Sequence, residues 1–599
     1  MQSLLKYDSF VLLESNQNFE ENRYSYLFTE PEKVLCALKI DELQAVLAQM
    51  DELAQDFYLA GFLSYECNAL SDHSLWGENK LGTPLIWLGA FREATIFDHK
   101  TAGVTGPNKD FFLKKQTDQP FELTEPQLQI SSEDYQNKIA FIKREIEAGN
   151  TYQINFTDKY KFDFNGSPID FYNQLKRKQT VAYNAFIKCR NQHILSLSPE
   201  LFFRKTGQEI ITKPMKGTCR RGRTTAEDAA LANELANDVK NRSENIMIVD
   251  LMRNDLGRIC KTGSVVAQSL FNIEKYDSLF QMTSTVAGEL KPGIAYSDIF
   301  KAIFPCGSVT GAPKLSSMKI IHRLEEEQRG IYTGAIGFTS PEGAACFNVP
   351  IRTLTLVGEY GEMGVGSGVV YDSGADSEYE ECKLKANFLT EEGAPFSLIE
   401  TLLWQNSYQR LEDHLSRLLD SAKYFNFRVN IDEINRKLIA LAKTLRSTWK
   451  YKVRLLNHKN GEFDVACSEL NDPAPPNPLV AISKVRVNSG DRFLFHKTTN
   501  RRLYDEEFAK SREEGFFDIL FLNENGEVTE GAISNLFVEK NKQLYTPPIQ
   551  CGLLNGTVRA AWLKTKQNAS EKVLHIQDLA EADAIYLTNS VRGMTKVEL

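Results

Sequence analysis

The stretch LTEEGAPFS, residues 389–397, most constrains how this chain folds. A helical pattern runs into it, stops at Gly393 and Pro395, and gives way to the strand-like run PFSLIETLL. Glycine loosens the backbone and proline lacks an amide hydrogen, so together they end a helix. A chain of 599 residues exceeds what one hydrophobic core supports, and about two to four domains are expected. The break therefore divides a domain over 1–390 from one over 398–599, with 391–397 as linker. A second break, DPAPPNP at 472–478, hinges the later domain into two lobes, because proline at that density favours an extended linker.

Composition narrows the class. A hydrophobic fraction of 42% and a charged fraction of 25% are ordinary for a globular protein. The net charge of −9 argues against a dedicated nucleic-acid or membrane-surface binder. None of the ten cysteines falls in a CxxC pair, which points to free thiols in a reducing compartment. The N-terminal apolar patch is too short and too acidic for a signal peptide. No apolar run approaches the roughly 18 residues that span a bilayer. The expectation is a cytoplasmic protein with no membrane and no nucleic-acid partner.

Periodicity gives an α+β to α/β multidomain reading. FVLLES, RYSYLF, LAGFLSYE and LIWLGAF read as strands between polar turns. Residues 98–132 read as a turn-rich excursion. SSEDYQNKIAFIKREIEAGN reads as a helix stopped by Gly149. Four strands follow (NAFIKC, HILSLSP, ELFFRK, EIITKPM), then one long helix from about Thr225 to Asn254.

Four constellations carry chemistry. In TKPMKGTCRRGR, Lys216 lies in a Pro…Gly turn. A lysine nucleophile must be neutral, so burial or neighbouring cations must lower its pKa. Lys213, Arg220, Arg221 and Arg223 are candidate cations; a solvent-facing lysine in a basic turn is the plain alternative. Glu200, after the apolar strand LSLSP, is placed to act as a general acid or base across a hairpin. In DSEYEECKLK, Glu378 and Glu381 are spaced i, i+3, and Lys385 follows Glu381 at i+4, so a helix puts them on one face. With Glu244 on another helical segment, these carboxylates suit Mg2+; a solvated acidic face is the alternative, and the run LEEEQ is assigned to it. Finally, FPCGSVTGAPK, RGIYTG, FNVPIRTL and GVGSGVV combine glycine-rich turns, which allow close backbone approach, with Arg352 in a strand-like run, suited to hold a carboxylate.

Together these segments resemble the chorismate-binding enzymes, which include anthranilate synthase component I, aminodeoxychorismate synthase component I, isochorismate synthases and salicylate synthases. LSYE, GNTYQINFT, SPELFF, PMKGT, ENIMIVDLMRNDLGR, GSVTGAPK, RGIYTG, IRT and DSGADSEYEECKLK match in order over roughly residues 1–390. The resemblance implies large β-sheets flanked by helices. It implies Lys216 as nucleophile, Glu200 as general acid and base, and Glu244 and Glu381 as Mg2+ ligands with Glu378 close by. It further implies Gly217, Thr218, Tyr332, Arg352, Gly366, Gly368 and Lys385 as substrate contacts. Anthranilate synthases carry alanine at the Lys216 position and a catalytic histidine at the Gln281 position; aminodeoxychorismate synthases carry lysine in a PIKGT-type motif. LLES and RYSYLF resemble a tryptophan-holding region of some relatives, but a structural strand pair is the favoured reading.

In the later domain Lys497 lies at the end of an apolar strand and Glu530 in VTEG. A lysine for a Schiff base and a carboxylate for a pyridinium nitrogen are what a pyridoxal phosphate site needs. The segment resembles the fold-type IV pyridoxal phosphate enzymes through LIETLL, LEDHLSRLLDSA, KTTNR, GEVTEGAISNLF, YTPP, GLLNGTVR and LTNSVRGM. The resemblance implies Lys497 as the Schiff-base lysine and Glu530 as the pyridine-nitrogen partner. Arg417, Thr557 and Val558 match phosphate ligands, and Thr588 lies near the site. The opening strand of relatives, with its Y-G-D-G-type segment, is missing here.

The two resemblances imply one sequence of reactions: chorismate to 4-amino-4-deoxychorismate, then loss of pyruvate to give 4-aminobenzoate, a folate precursor. Chorismate and ammonia are the implied substrates, and Mg2+ and pyridoxal phosphate the cofactors. No cysteine lies in a G-x-C-x-G elbow, so glutamine as nitrogen source implies a separate amidotransferase subunit. A homodimer through the later domain is a further expectation. Two alternatives stand beside this reading: a synthase with a non-catalytic lyase-like module, and an anthranilate- or isochorismate-type synthase fused to an aminotransferase.

Overall fold

Phe10, Val11 and Leu12 are all fully buried, yet neighbours in this strand face two different cores. Side chains alternate across a strand, so a sheet covered on both faces reads as a continuous apolar run. The computed structural model describes residues 4–16, 20–72, 75, 78–80, 82–113, 120–390, 396–470 and 475–599. Of the expected linker and hinge, residues 391–395 and 471–474 lie outside the described residues. The chain divides into two compact units, one of residues 1–219 with 232–393, the other of 220–231 with 394–599.

Among the described residues the first unit holds a 12-stranded and a 10-stranded sheet. Val11, Phe28, Ala185 and Ile187 of the larger sheet pack on Ala60, Phe62, Trp87 and Ile336 of the smaller. The outer face of the larger sheet is covered by helices Ser132–Glu147 and Lys314–Leu324, through Tyr135, Ile139 and Ile321. Leu43–Leu53 and Val239–Ile259 cover the smaller, through Leu47, Ile248 and Met252.

The expected long helix from Thr225 is two helices, Thr225–Asn237 and Val239–Ile259. Asp238 is extended (φ −68°, ψ 120°) and its carboxylate caps the second helix at the Asn241 amide. An N-cap aspartate satisfies amides that have no partner inside the helix, which is why the chain breaks there. The excursion at 98–132 contains short elements, including strands Gly103–Thr105 and Phe121–Leu123 and helix Asp110–Leu113.

In the second unit, helices Leu411–Phe425 and Ile431–Ala442 pack Leu418, Ala422, Ile434 and Leu438 on a 4-stranded sheet centred on Leu398–Gln405 and Tyr451–Asn457. A 3-stranded and a 5-stranded sheet share another core of Leu520, Val528, Leu536 and Leu587. No described helix is long and apolar enough to cross a membrane.

Candidate active sites

Lys216 lies in the strand Met215–Arg220, not in a turn. Pro214 ends the preceding strand Glu209–Lys213, and Gly217 takes a left-handed φ of +89° without stopping the new strand. The lysine is half-buried, and burial lowers its pKa. Lys385 lowers it further, while Glu244, Glu200 and Glu381 oppose the shift. The cations expected from the local sequence are engaged elsewhere. Lys213 pairs with Glu274 at 2.6 Å, Arg221 with Asp228 and Arg223 with Glu227, and Arg220 is exposed. Desolvation, not a basic turn, tunes this amine.

Glu200 sits between the strands Gln192–Ser198 and Leu201–Thr206 and is 3% exposed. Burial raises its pKa to about 7, against hydrogen bonds from Ser308 and the Met215 backbone and the charge of Lys216. Its Oε1 has no hydrogen-bond partner among the described residues. A carboxyl near neutrality, in the field of a lysine whose pKa is lowered, suits proton transfer.

Gly368 makes room for the amine. A Cβ there would stand 2.8 Å from Lys216 Nζ and 2.7 Å from Gln153 Nε2. Gln153 is buried, and neither atom of its amide has a partner among the described residues. It belongs to this site, and sequence reasoning passed over it. It opens the strand Gln153–Gly166, which carries several other polar residues, so nothing local set it apart. The Gln281 side chain donates to Gly217 O at 3.0 Å and accepts from Thr218 Oγ1 at 3.0 Å, bracing the strand beside Lys216.

The helix Ala375–Ala386 carries Glu378, Glu381 and Lys385. Lys385 Nζ reaches Gly366 O at 2.8 Å and Glu381 at 2.6 Å. Burial raises the Glu244 carboxyl, with Lys216 opposing and Glu378 and Glu381 adding to the rise. Among the described residues no cluster of three His, Cys, Asp or Glu side chains forms a cage for a metal ion. Carboxylates on an open face still fit Mg2+, which takes few protein ligands and keeps water or substrate oxygens. Tyr332 is buried with its ring against Gly364. Arg352 is not in a strand; it sits at φ +51° before Thr353–Val357 and donates to Gln179 at 2.6 Å. Burial lowers its pKa.

In the second unit Lys497 follows the 3-10 turn Arg492–Phe495 rather than ending a strand. Its carbonyl accepts from the Ile399 amide at 2.8 Å. Burial lowers its pKa to about 8, with Arg417 and Arg501 adding and Glu400 and Glu530 opposing. Burial raises Glu530 to about 8, although it accepts from the Leu554 amide (3.1 Å) and Asn535 Nδ2 (3.0 Å). Arg417 grips Glu400 in two bonds, at 2.9 and 2.7 Å, and His414 Nδ1 meets the same carboxylate at 2.5 Å. Thr557 and Val558 open the helix Thr557–Thr565, and Thr557 Oγ1 meets Ser590 Oγ at 2.7 Å. Thr588 is buried and its hydroxyl donates to Asn535 O at 3.4 Å. These residues fit pyridoxal phosphate: an easily deprotonated lysine, a buried carboxyl that needs a cationic partner to ionise, and an arginine with a helix N-terminus for phosphate.

Residues 9–391 match the chorismate binding enzyme family, and residues 397–599 match amino-transferase class IV. The aminodeoxychorismate synthase component 1 of Bacillus subtilis (strain 168) is 34% identical over 350 residues, 54% of this chain and 74% of that protein. The anthranilate synthase component 1 of Lactococcus lactis subsp. lactis (strain IL1403) is 32% identical over 339 residues, 53% of this chain and 74% of that protein. Among solved structures, anthranilate synthase component I from Streptococcus pneumoniae TIGR4 is 26% identical with a TM-score of 0.55, covering 62% of this chain and 92% of that one.

The Glu400 pair gives a test of stability. Burial pushes the Glu400 carboxyl up, but Arg417 and His414 outweigh it and hold it at about 2. A carboxyl held below its ordinary value of 4.5 stabilises the fold fully above that value and loses the effect as pH falls through about 2. Arg417→Met leaves the buried charge short of its cation and is expected to cost about 3–5 kcal/mol at pH 7. The cost should shrink as pH falls below 4.5. Denaturant unfolding at both pH values checks this; equal stability of variant and parent would refute it.

Proposed function

The chain belongs to the chorismate binding enzyme family, and on that premise we propose that it performs two consecutive steps of 4-aminobenzoate formation. The first unit aminates chorismate to 4-amino-4-deoxychorismate, and the second removes pyruvate from that product. One observation carries the reading: Lys216, its pKa lowered by burial, lies in the field of Glu200 with Gln153 and Gly368 beside its amine. A side chain without a nucleophilic group at this position would leave the site without its nucleophile.

The neutral Lys216 amine attacks C2 of chorismate, both ring double bonds shift, and the C4–O bond breaks. Glu200, near half-protonated at pH 7, gives its proton to the departing hydroxyl, which leaves as water. Ammonia adds at C4, the double bonds shift back and the C2–N bond breaks, returning Lys216 as a free amine. The new ammonium returns a proton to Glu200. Tyr332, Arg352, Lys385 and the backbone at Gly217, Thr218, Gly366 and Gly368 position the ring and its carboxylates. Glu244 and Glu381, with Glu378, would hold Mg2+, which offsets substrate carboxylate charge. Ammonia enters free or from a separate glutamine amidotransferase subunit.

In the second unit Lys497 would carry pyridoxal phosphate, with Glu530 at the ring nitrogen and Arg417, Thr557 and Val558 at the phosphate. When bound, the cofactor supplies an electron sink next to the carbon that bears the amino group. Lys497 moves the C4 proton of the substrate. The enolpyruvyl group then leaves and the ring becomes aromatic.

Purified protein given chorismate, ammonia, Mg2+ and pyridoxal phosphate is expected to yield 4-aminobenzoate and pyruvate, and Lys216→Ala to form neither. Anthranilate as product would overturn the reading. The pH profile of the amination, taken at constant free ammonia, should rise as Lys216 loses its proton and fall above about 7 as Glu200 loses its own. Glu200→Gln should lower the rate about 10²–10⁴-fold and abolish the falling limb; a profile unchanged by this substitution would remove Glu200 from the proton transfer.

A further inference from the structure

Residues 220–231 begin at the last residue of the strand of Lys216, yet they belong to the compact unit built from residues 394–599. The segment is closed on itself by a buried ion pair. Arg221, 6% exposed, donates from Nε and Nη2 to Asp228, and the Gly222 amide donates to the same carboxylate at 2.8 Å. Burying two charges is costly unless every donor is used, and the remaining contacts of Arg221 show where it is aimed. Its Nη2 also donates to Tyr424 O at 2.9 Å, and its guanidinium lies 4.4 Å from the centre of the Tyr424 ring. Tyr424 answers by donating its hydroxyl to Gly222 O at 2.5 Å. The tyrosine is thus held at both ends by this segment.

The Tyr424 ring also meets His496, whose ring centre lies 4.3 Å away. His496 is 5% exposed and its Nδ1 meets Ser421 Oγ at 3.0 Å. Arg223 adds a second grip, donating to Ser489 O at 3.2 Å and lying 5.1 Å from the ring centre of Phe495. Phe495 and His496 immediately precede Lys497. A contiguous path of close contacts therefore runs from Arg221 through Tyr424 to the residue before the lysine.

We propose that residues 220–231 are a working part of the pyridoxal phosphate site, with Arg221 acting through Tyr424 and His496 as a positioning residue for Lys497. The inference rests on the reading of Lys497 as the cofactor lysine. It gives residues 220–231 a role in the second reaction rather than the first. A lysine that must meet a cofactor carbonyl in one geometry gains from a fixed neighbour, and a buried, fully bonded ion pair supplies one.

The test uses the full chain. Arg221→Met and Tyr424→Phe are titrated with pyridoxal phosphate, and two quantities are read: the dissociation constant, and the pH midpoint of the visible band of lysine-bound cofactor. Arg221→Met is expected to weaken cofactor binding about tenfold or more and to move the midpoint by about one pH unit. Tyr424→Phe keeps the ring on His496 but loses the bond to Gly222, so a smaller change in the same direction is expected. It also serves where Arg221→Met fails to fold. Variants that fold, bind the cofactor as tightly as the parent and keep its midpoint would overturn the proposal. A parent protein that binds no pyridoxal phosphate would overturn the functional reading instead, so the two failures are distinct.

Discussion

The first site depends on one physical constraint, the desolvation of the Lys216 amine. A lysine in water is protonated and inert as a nucleophile. Here the strand Met215–Arg220 places it in protein surroundings that lower its pKa, and Gly368 leaves the space its amine occupies. The surrounding carboxylates Glu200, Glu244 and Glu381 pull the other way. The burial that lowers the lysine also raises Glu200 and Glu244. One desolvated environment thus brings a base and an acid toward neutrality from opposite ends of the pH scale. A cation drawn to the carboxylates would weaken their hold on the amine's proton.

The second unit uses the same physics with different partners. Lys497 falls to about 8 and Glu530 rises to about 8, both chiefly by burial. Arg417 and Arg501 help lower the lysine, and Glu400 keeps Arg417 fixed through two hydrogen bonds. In each unit a half-buried lysine is set against a buried carboxyl that lacks a tight ion pair. That leaves both groups available to a ligand instead of neutralising each other.

Much of this was legible in the sequence because it is local and periodic. The strand Phe10–Glu14 follows from its continuous apolar run and the helix Ala375–Ala386 from i, i+3 spacing. What was not legible depends on distance. The basic residues around Lys216 are adjacent in sequence but pair with Glu274, Asp228 and Glu227. Arg352 and Lys497 sit in apolar runs that read as strands, yet one takes a left-handed φ and the other follows a 3-10 turn. Asp238 is compatible with a helix interior by propensity, and only its bond to the Asn241 amide marks it as a cap. Gln153 carries no local sign of function; its amide matters because of what Gly368, more than two hundred positions later, leaves open beside it. That residues 220–231 build the second unit is likewise a tertiary fact.

The central claim, that burial makes Lys216 a nucleophile, is tested most directly by titrating that one amine. The rate of its modification by a small amine-reactive reagent, followed by peptide mass spectrometry across pH, reports its pKa in the folded protein. The account expects a midpoint below the ordinary lysine value of 10.5, moving further down when Glu244 is replaced by glutamine. A midpoint at or above 10.5 would contradict it, because the amine would then be as protonated as any lysine in water.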